Sequence, residues 1–192
     1  VMPLPYSKRY EGLATGLYKA FQEANIPFSL AFMRGATKRI EALNMGKYNF
    51  TIVSKLAASL EMKRNDKAKI LYEFKEESYV GNHVIIFRDK RETKIRDGMR
   101  VALDPVSIDQ LILTNYECEG IEVEYVETSY NQILQKLENN EIDAAIWNGD
   151  ELNRSNFDFN VSPLSNPKTK KISKDDTIAV ILINKEYDEF GD

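Results

Sequence analysis

Cysteine and histidine are almost absent from this sequence, since its 192 residues contain one of each, Cys118 and His83. A single cysteine excludes an intrachain disulfide and fits a reducing compartment. With one histidine and one cysteine, a zinc site would have to be built mostly from carboxylates, which is unusual. Because Glu117 and Glu119 flank Cys118 and disfavour its thiolate, we expect a structural cysteine rather than a nucleophile.

The motifs of several enzyme classes are also missing. The sequence contains no G-x-x-x-x-G-K-[ST] phosphate loop, no G-x-G-x-x-G dinucleotide motif and no G-x-S-x-G nucleophile elbow. The longest apolar runs, such as Ile178 to Ile183, are far shorter than the roughly 20 residues that span a membrane. We therefore expect a protein that is not an enzyme, with no catalytic residues, metal, cofactor or membrane partner.

The charge balance argues against nucleic-acid binding by this chain. Lysine and arginine number 26 against 30 aspartates and glutamates, for a net charge of −4, whereas phosphate contacts need clustered cations. The one basic cluster follows Asn166-Pro167 and is expected to be a solvated loop; it comprises Lys168, Lys170, Lys171 and Lys174. Hydrophobic residues make up 43% of the chain, enough for a real core.

An internal repeat is the most informative feature present. The stretch from Arg34 to Val53 aligns without gaps with the stretch from Thr128 to Trp147, 94 residues later. Each copy has helical spacing of apolar residues and then a residue that tolerates positive φ, Gly46 or Asn140. An apolar strand follows in both copies.

The repeat extends upstream, so each copy has the order β-α-β-α-β. Alternating strands and helices predict two similar α/β lobes, each a mostly parallel sheet flanked by helices. The late apolar segment from 177 to 184 is expected to return to the first lobe, which requires two crossover segments. The predicted lobes are residues 1–88 with 177–192, and residues 89–176.

The sequence resembles a known family at several points. An N-terminal strand, turn and helix leads to R-G-A at 34–36 and G-K-Y-N-F-T-I-V-S at 46–54; the second lobe opens with V-A-L-D-P at 101–105 and closes with I-D-A-A-I-W-N at 142–148. This pattern resembles the type 2 periplasmic-binding-protein-like fold over essentially the whole chain. The segment Met2 to Leu17 together with R-G-A is similar to the C-terminal domain of the YhfZ family.

The YhfZ family is similar to GntR-type bacterial transcription regulators, and the resemblance implies a function. It implies a cytoplasmic effector-binding domain, a homodimer, and a helix-turn-helix domain that lies outside this chain and binds DNA. The start at Val1, rather than at methionine, agrees with a segment of a longer protein. The small-molecule effector is expected in the cleft between the lobes.

Candidate binding residues follow from a rule of open α/β sheets, in which ligands bind beyond the carboxyl ends of the strands, at helix N-termini. They lie in six loops, three in each lobe. In the first lobe they are Tyr6, Ser7, Arg34, Gly35, Ala36, Ser54 and Lys55. In the second lobe they are Asp104, Ser107, Ser129, Trp147 and Asn148.

Arg34 suggests the charge of the ligand. A cation at a helix N-terminus opposes the helix dipole, a cost that an anion gripped by the guanidinium would offset. Several candidates also have a purely structural alternative. Arg34 could pair with an acidic side chain or point to water, and Lys55 could be solvated. Asp104 and Ser107 could cap a helix. Tyr6 and Ser7 could equally be turn residues, and Trp147 a core residue.

The expected function is therefore small-molecule effector binding in a bacterial transcription regulator, with a polar and, from Arg34, anionic metabolite as ligand. The alternatives are a solute-binding receptor of a transporter and, less favoured, an enzyme on the same fold. A signal peptide or lipobox in the full gene would favour the receptor, and turnover of a bound ligand would favour the enzyme. Fold alone does not settle function.

Overall fold

A computed structural model of the chain describes residues 2–4, 8–154 and 158–187. The chain divides into two compact units, Val1–Tyr79 with Lys174–Asp192, and Val80–Ser173. It passes from the first unit to the second between Tyr79 and Val80, and it returns between Ser173 and Lys174.

The first unit contains five strands and three helices among its described residues. They are β1 (Met2–Leu4), α1 (Lys8–Glu23), β2 (Leu30–Phe32), α2 (Ala36–Asn44), β3 (Phe50–Ser54), α3 (Lys55–Arg64), β4 (Ala68–Glu73) and β10 (Ala179–Asn184). β1 and β2 pair in parallel, and β10 lies between β3 and β4, antiparallel to both. A short 3-10 helix, Lys185–Tyr187, follows β10.

The second unit is built on one sheet, β7-β6-β8-β5-β9. Its elements are β5 (His83–Phe87), β6 (Arg100–Leu103), α4 (Ile108–Glu117), β7 (Glu124–Glu127), a 3-10 turn (Tyr130–Gln132) that leads into α5 (Ile133–Glu138), β8 (Ala144–Asn148), a 3-10 segment (Gly149–Arg154), β9 (Asn160–Pro163) and α6 (Pro167–Ile172). β6 is parallel to β7 and β8, and β5 is antiparallel to β8 and β9.

The structure confirms the internal repeat. β3 and β8 are separated by 94 residues at both ends, and α2 has the same separation from the segment Tyr130 to Glu138. Both helices end two residues before the residue that was expected to take positive φ, which is 72° at Gly46 and 58° at Asn140. The following amides, Lys47 N–H and Glu141 N–H, donate to carbonyls five residues earlier in both copies.

Alternation along the strands of the second unit buries both faces of its sheet. Ile85, Phe87 and Ile146 pack with α4 through Leu113 and Cys118. The intervening residues face the other way and pack with α5; they are Val84, Ile86, Ala145 and Trp147. This period of two is the normal consequence of strand geometry, and it fixes which side of β8 each candidate site residue occupies.

Several expectations about the fold differ from the structure. β5 was assigned to the first lobe, but it pairs with β8 and β9 and lies in the second unit. Neither unit is mostly parallel, because β10 is antiparallel to both of its neighbours in the first unit and β5 is antiparallel to both of its neighbours in the second. Lys168, Lys170 and Lys171 lie on helix α6, which Asn166 caps through its side-chain oxygen, and not in a loop.

Asp143, directly before β8, is hydrogen-bonded to Arg100, the first residue of β6. Its Oδ2 accepts from the Arg100 amide (2.9 Å) and Nε (3.1 Å), and its Oδ1 accepts from the same guanidinium (2.9 Å). These hydrogen bonds lower the pKa of Asp143. Because the pKa is lower in the folded state, the stabilisation is present above the unfolded value, about 3.9, and is lost as pH falls through the folded-state pKa.

We expect Asp143→Asn, which copies the residue found at the repeated position Asn49, to lower the free energy of unfolding at pH 7 by about 1–3 kcal/mol. The difference from the unmodified protein should shrink near pH 3. Urea unfolding at both pH values measures it, with the exposed Glu141→Gln as control. An Asp143→Asn deficit that stays constant between pH 7 and pH 3 would contradict the assignment.

Candidate functional site

The described candidate residues lie where strands end and helices begin. Arg34 and Gly35 precede α2, Ser54 ends β3 and caps α3, and Ser107 precedes α4. Ser129 precedes the turn at Tyr130, and Trp147 and Asn148 end β8. Tyr6 and Ser7 lie outside the described residues.

Asp104 connects two of these loops in the second unit. Asp104 is buried, with only 1% of its surface exposed. Oδ1 accepts from the Val106 amide (3.1 Å), and Oδ2 accepts from the Ser107 hydroxyl (3.0 Å) and the Tyr130 amide (2.8 Å). The carboxylate therefore holds the loop before α4 against the loop after β7, next to Ser129.

The aromatic part of this cluster is a stacked pair. The rings of Tyr130 and Trp147 are parallel to within 12°, with centroids 4.5 Å apart. Trp147 is 3% exposed, and its Nε1–H has no hydrogen-bond partner among the described residues. A buried indole N–H normally finds an acceptor. The Trp147 N–H is therefore available to an acceptor outside the described residues.

Asn148 completes the cluster at the end of β8. It is buried, and its side-chain oxygen accepts from the Asp150 amide at 2.9 Å. Gly149 follows, and its amide donates to the Asn82 carbonyl at 3.0 Å. Asn148 therefore shapes the turn after β8 through one of its two side-chain polar atoms.

Two candidates of the first unit have structural roles. Ser54 is buried and caps α3, its hydroxyl oxygen accepting from the Ala57 amide at 3.0 Å. Lys55 donates to Glu73 at 2.9 Å and lies 4.0 Å from Asp175. The hydrogen bond to Glu73 is the main cause of a raised pKa at Lys55. Lys55 is thus paired and not simply solvated.

The loop before α2 leaves the start of the helix without a side-chain cap. Gly35 is the N-cap residue at φ 84°, a value that favours glycine, and no side chain caps the helix. Gly35 and Ala36 are buried, whereas Arg34 is exposed. The first amides of a helix are donors that the helix itself does not satisfy, and they carry partial positive charge.

Arg39, one turn into α2, was missed by the sequence reasoning. It is 1% exposed, and its guanidinium donates to the Ile52 carbonyl (3.0 Å), the Met33 carbonyl (2.8 Å) and the Tyr79 hydroxyl (3.0 Å). The repeat contained a signal, because Arg39 aligns with Ile133, a core position of the second copy. A charged residue at such a position is unusual.

In the parts of the chain that the structure describes, no group of three histidine, cysteine, aspartate or glutamate side chains could hold a metal ion. In those same parts, no helix is both long and apolar enough to cross a membrane.

Cys118 is a buried thiol at the end of α4. It is 3% exposed, and burial is the main cause that raises its pKa to about 11; Glu117 adds to the effect, and a hydrogen bond with Tyr125 opposes it. From the sequence, only the neighbouring glutamates were expected to raise the pKa of Cys118.

We expect an aromatic disulfide reagent at pH 8 to modify Cys118 at the rate of unfolding, and rapidly in urea. Rapid modification of the native protein would show that the thiol is accessible.

The comparisons with known proteins agree on the family. A family model described as the YhfZ C-terminal domain matches residues 1–191. The chain is 42% identical over 147 residues to YhfZ of Escherichia coli (strain K12), a match that covers 77% of this chain and 47% of that protein. The chain thus spans about half the length of this curated relative.

The solved structures agree on the fold. The crystal structure of YhfZ from Shigella flexneri is similar with a TM-score of 0.75 and 37% identity, covering 98% of this chain and 77% of that one. The alkanesulfonate-binding protein SsuA from Xanthomonas axonopodis pv. citri, bound to MOPS, has a TM-score of 0.70 at 13% identity, covering 97% and 65%. The fold is of the type 2 periplasmic-binding-protein-like class, and the chain belongs to the YhfZ family, by its C-terminal domain.

Proposed function

We propose that this chain is the small-molecule effector-binding domain of a cytoplasmic bacterial transcription regulator, and that its ligand is a small polar anion. Membership of the YhfZ family supports a domain of a larger protein, because the matched segment is 47% of the Escherichia coli relative. The remaining half of such a protein has room for a DNA-binding domain, through which a homodimer would contact its operator.

The observation that carries the ligand-binding part is the cluster at the strand ends of the second unit. Trp147 presents a buried N–H without a partner among the described residues, beside the stacked ring of Tyr130. Asp104 fixes the Ser107 and Tyr130 loops around it. Aromatic side chains beside a few polar groups are the usual composition of a small-molecule site.

The first unit has a cation beside a helix N-terminus. Arg34 is exposed directly before the N-terminus of α2, which no side chain caps, and Gly35 and Ala36 are buried there. Guanidinium groups and helix N-termini both favour carboxylate, sulfonate and phosphate groups. Asp104, Ser107 and Ser54 then act as supports for the binding loops, with their hydrogen bonds made within the fold.

The ligand is sought by a thermal-shift screen with amino acids, dicarboxylates, alkanesulfonates and sugar phosphates, in a buffer without MOPS or other sulfonates. An anion present at about 100 times its dissociation constant should raise the melting temperature by roughly 5–10 °C. Arg34→Ala should remove most of this rise. Lys38→Ala is the matched control, because Lys38 is an exposed cation on the same helix.

Equal shifts in Arg34→Ala and in the unmodified protein would exclude Arg34 from the site, and a screen without any hit would argue for a structural or dimerisation role of the domain. The regulatory part is tested with the full-length protein. An anion found in the screen must change its affinity for DNA from its own promoter region in a gel-shift titration.

The single tryptophan gives a second test. A buried indole without a hydrogen-bond acceptor should emit at shorter wavelength than free tryptophan, with quenching by the stacked Tyr130. A ligand that accepts from Nε1 should move the emission to longer wavelength, with a saturation curve that matches the thermal shift. A hit that leaves the emission unchanged would place its binding away from Trp147.

A further inference from the structure

Trp147 and Tyr130 form a stacked aromatic pair for which the first unit has no counterpart at the repeated positions. The first unit has Val53 and Ala36 there, 94 residues earlier, and both are buried. Aliphatic side chains therefore fill these places in the same order of strand and helix, so the packing of helix on sheet does not require two rings. The shared architecture leaves the aromatic pair of the second unit unexplained.

The indole of Trp147 carries a hydrogen-bond donor that lacks an acceptor. Trp147 is 3% exposed, and its Nε1–H has no partner among the described residues. Taking such a donor out of water without a new hydrogen bond costs free energy, a cost that phenylalanine or leucine would avoid. The donor therefore indicates a site for an oxygen atom that the described residues do not supply.

The surroundings of the indole favour an uncharged acceptor. Trp147 belongs to an apolar cluster with Val84, Ile133 and Ala145, and the half-buried Leu152 packs against the same cluster. An ionised carboxylate or sulfonate that entered this cluster would lose its hydration at high cost, whereas a hydroxyl, amide or ketone oxygen would lose much less. One hydrogen bond from an indole would not offset the cost for the charged group.

The charges at this edge of the sheet have the same consequence. The four residues that follow each of β6, β7 and β8 include Asp104, Asp150 and Glu151 and no lysine or arginine. In the first unit, by contrast, the four residues that follow each of β2 and β3 include Arg34 and Lys55 and no carboxylate. Because like charges repel at short range, an anionic group is disfavoured at the strand ends of the second unit.

We propose that Trp147 selects an uncharged oxygen of the effector, from a hydroxyl, amide or ketone group, and that the second unit discriminates against a second anionic group. The effector then has an anionic group at one end and a neutral polar group at the other. A hydroxyl or a primary amide fits best, because it accepts from Nε1–H and also donates to a carboxylate of the kind that this edge carries. The inference deepens the proposed function and rests on it, since it names the class of effector.

The donor becomes accessible through a local rearrangement. Nε1 is buried, so an acceptor reaches it only when a neighbouring side chain moves. Two half-buried side chains of the apolar cluster, Tyr130 and Leu152, lie on 3-10 segments, whose hydrogen-bond geometry is poorer than that of an α-helix. The Tyr130 amide stays 2.8 Å from Asp104 Oδ2, so the ring can move while its backbone is held.

The test compares anions that share one charged group and differ only at the other end. One trio is butyrate, succinamate and succinate; the other is propanesulfonate, its hydroxyl-terminated analogue and sulfopropionate. Affinities come from saturable thermal shifts, with sodium chloride used to equalise the ionic strength. Because the chain has one tryptophan, the indole N–H resonance of isotope-labelled protein reports directly on acceptance at Nε1.

We expect the neutral-tailed member of a trio to bind at least about fivefold more tightly than the alkyl member, and also more tightly than the doubly charged member. Its binding should move the indole N–H resonance downfield. Trp147→Phe keeps a ring beside Tyr130 and removes the N–H, so the advantage over the alkyl member should fall below about twofold. Tyr72→Phe, which alters an exposed aromatic residue of the first unit, is the control and should change neither affinity.

A second replacement separates the loss of the N–H from the smaller size of phenylalanine. Since the chain has one tryptophan, benzothienylalanine supplied to a tryptophan-auxotrophic host replaces residue 147 alone. This isostere of tryptophan has sulfur in place of the N–H. The protein that contains it should lose the same advantage as Trp147→Phe, and it decides alone if Trp147→Phe does not fold.

Equal affinities within a trio, or tighter binding of its doubly charged member, would overturn the inference and leave the proposed function standing. An advantage of the neutral tail that persists in both replacements of Trp147 would also overturn it, and would indicate that a buried water accepts from Nε1. The absence of saturable binding by every member of both trios would overturn it as well. A hit elsewhere in the thermal-shift screen would then preserve the proposed function with another ligand class.

Discussion

Each unit depends on one fully buried strand that must be hydrogen-bonded on both edges. In the first unit this strand is β10, whose six residues are all buried between β3 and β4. A buried strand with an open edge would leave several backbone groups unsatisfied, each at a cost comparable to a lost hydrogen bond. The first unit is therefore incomplete without the segment after Lys174, which the chain reaches only after it has formed the second unit.

The same constraint explains which parts of the fold could be predicted from sequence. The repeat identified β3, β8 and the helices before them, because their apolar spacing is local. β5 is equally apolar, and its pattern shows that it is buried but not which strands border it; it pairs with β8, about 60 residues away. Helix α6 was missed because its lysines gave no apolar stripe, although Asn166-Pro167 is a typical helix start.

The candidate site shows the same division between local and long-range information. Placement of the residues at strand ends followed from the order of elements alone. Their partners did not, because Lys55 meets Glu73 and Asp104 meets Tyr130 only through the tertiary fold. Helix capping was an alternative visible in the sequence for Asp104 and Ser107, and solvation was one for Lys55, but the partners that these side chains have required coordinates.

The two units differ most informatively at buried positions where the repeat predicts equivalence. Arg39 stands where the second unit has Ile133, and Trp147 stands where the first unit has Val53; all four side chains are at least nine-tenths buried. The two exchanges differ in their hydrogen bonding: each guanidinium nitrogen of Arg39 donates to an oxygen of the first unit, whereas the indole Nε1–H of Trp147 has no partner among the described residues. At position 147 an aliphatic residue would therefore serve stability better than tryptophan. This donor lies at the end of β8, the edge of the sheet where ligands of this fold class bind. A ligand that accepts from Nε1 would recover its cost.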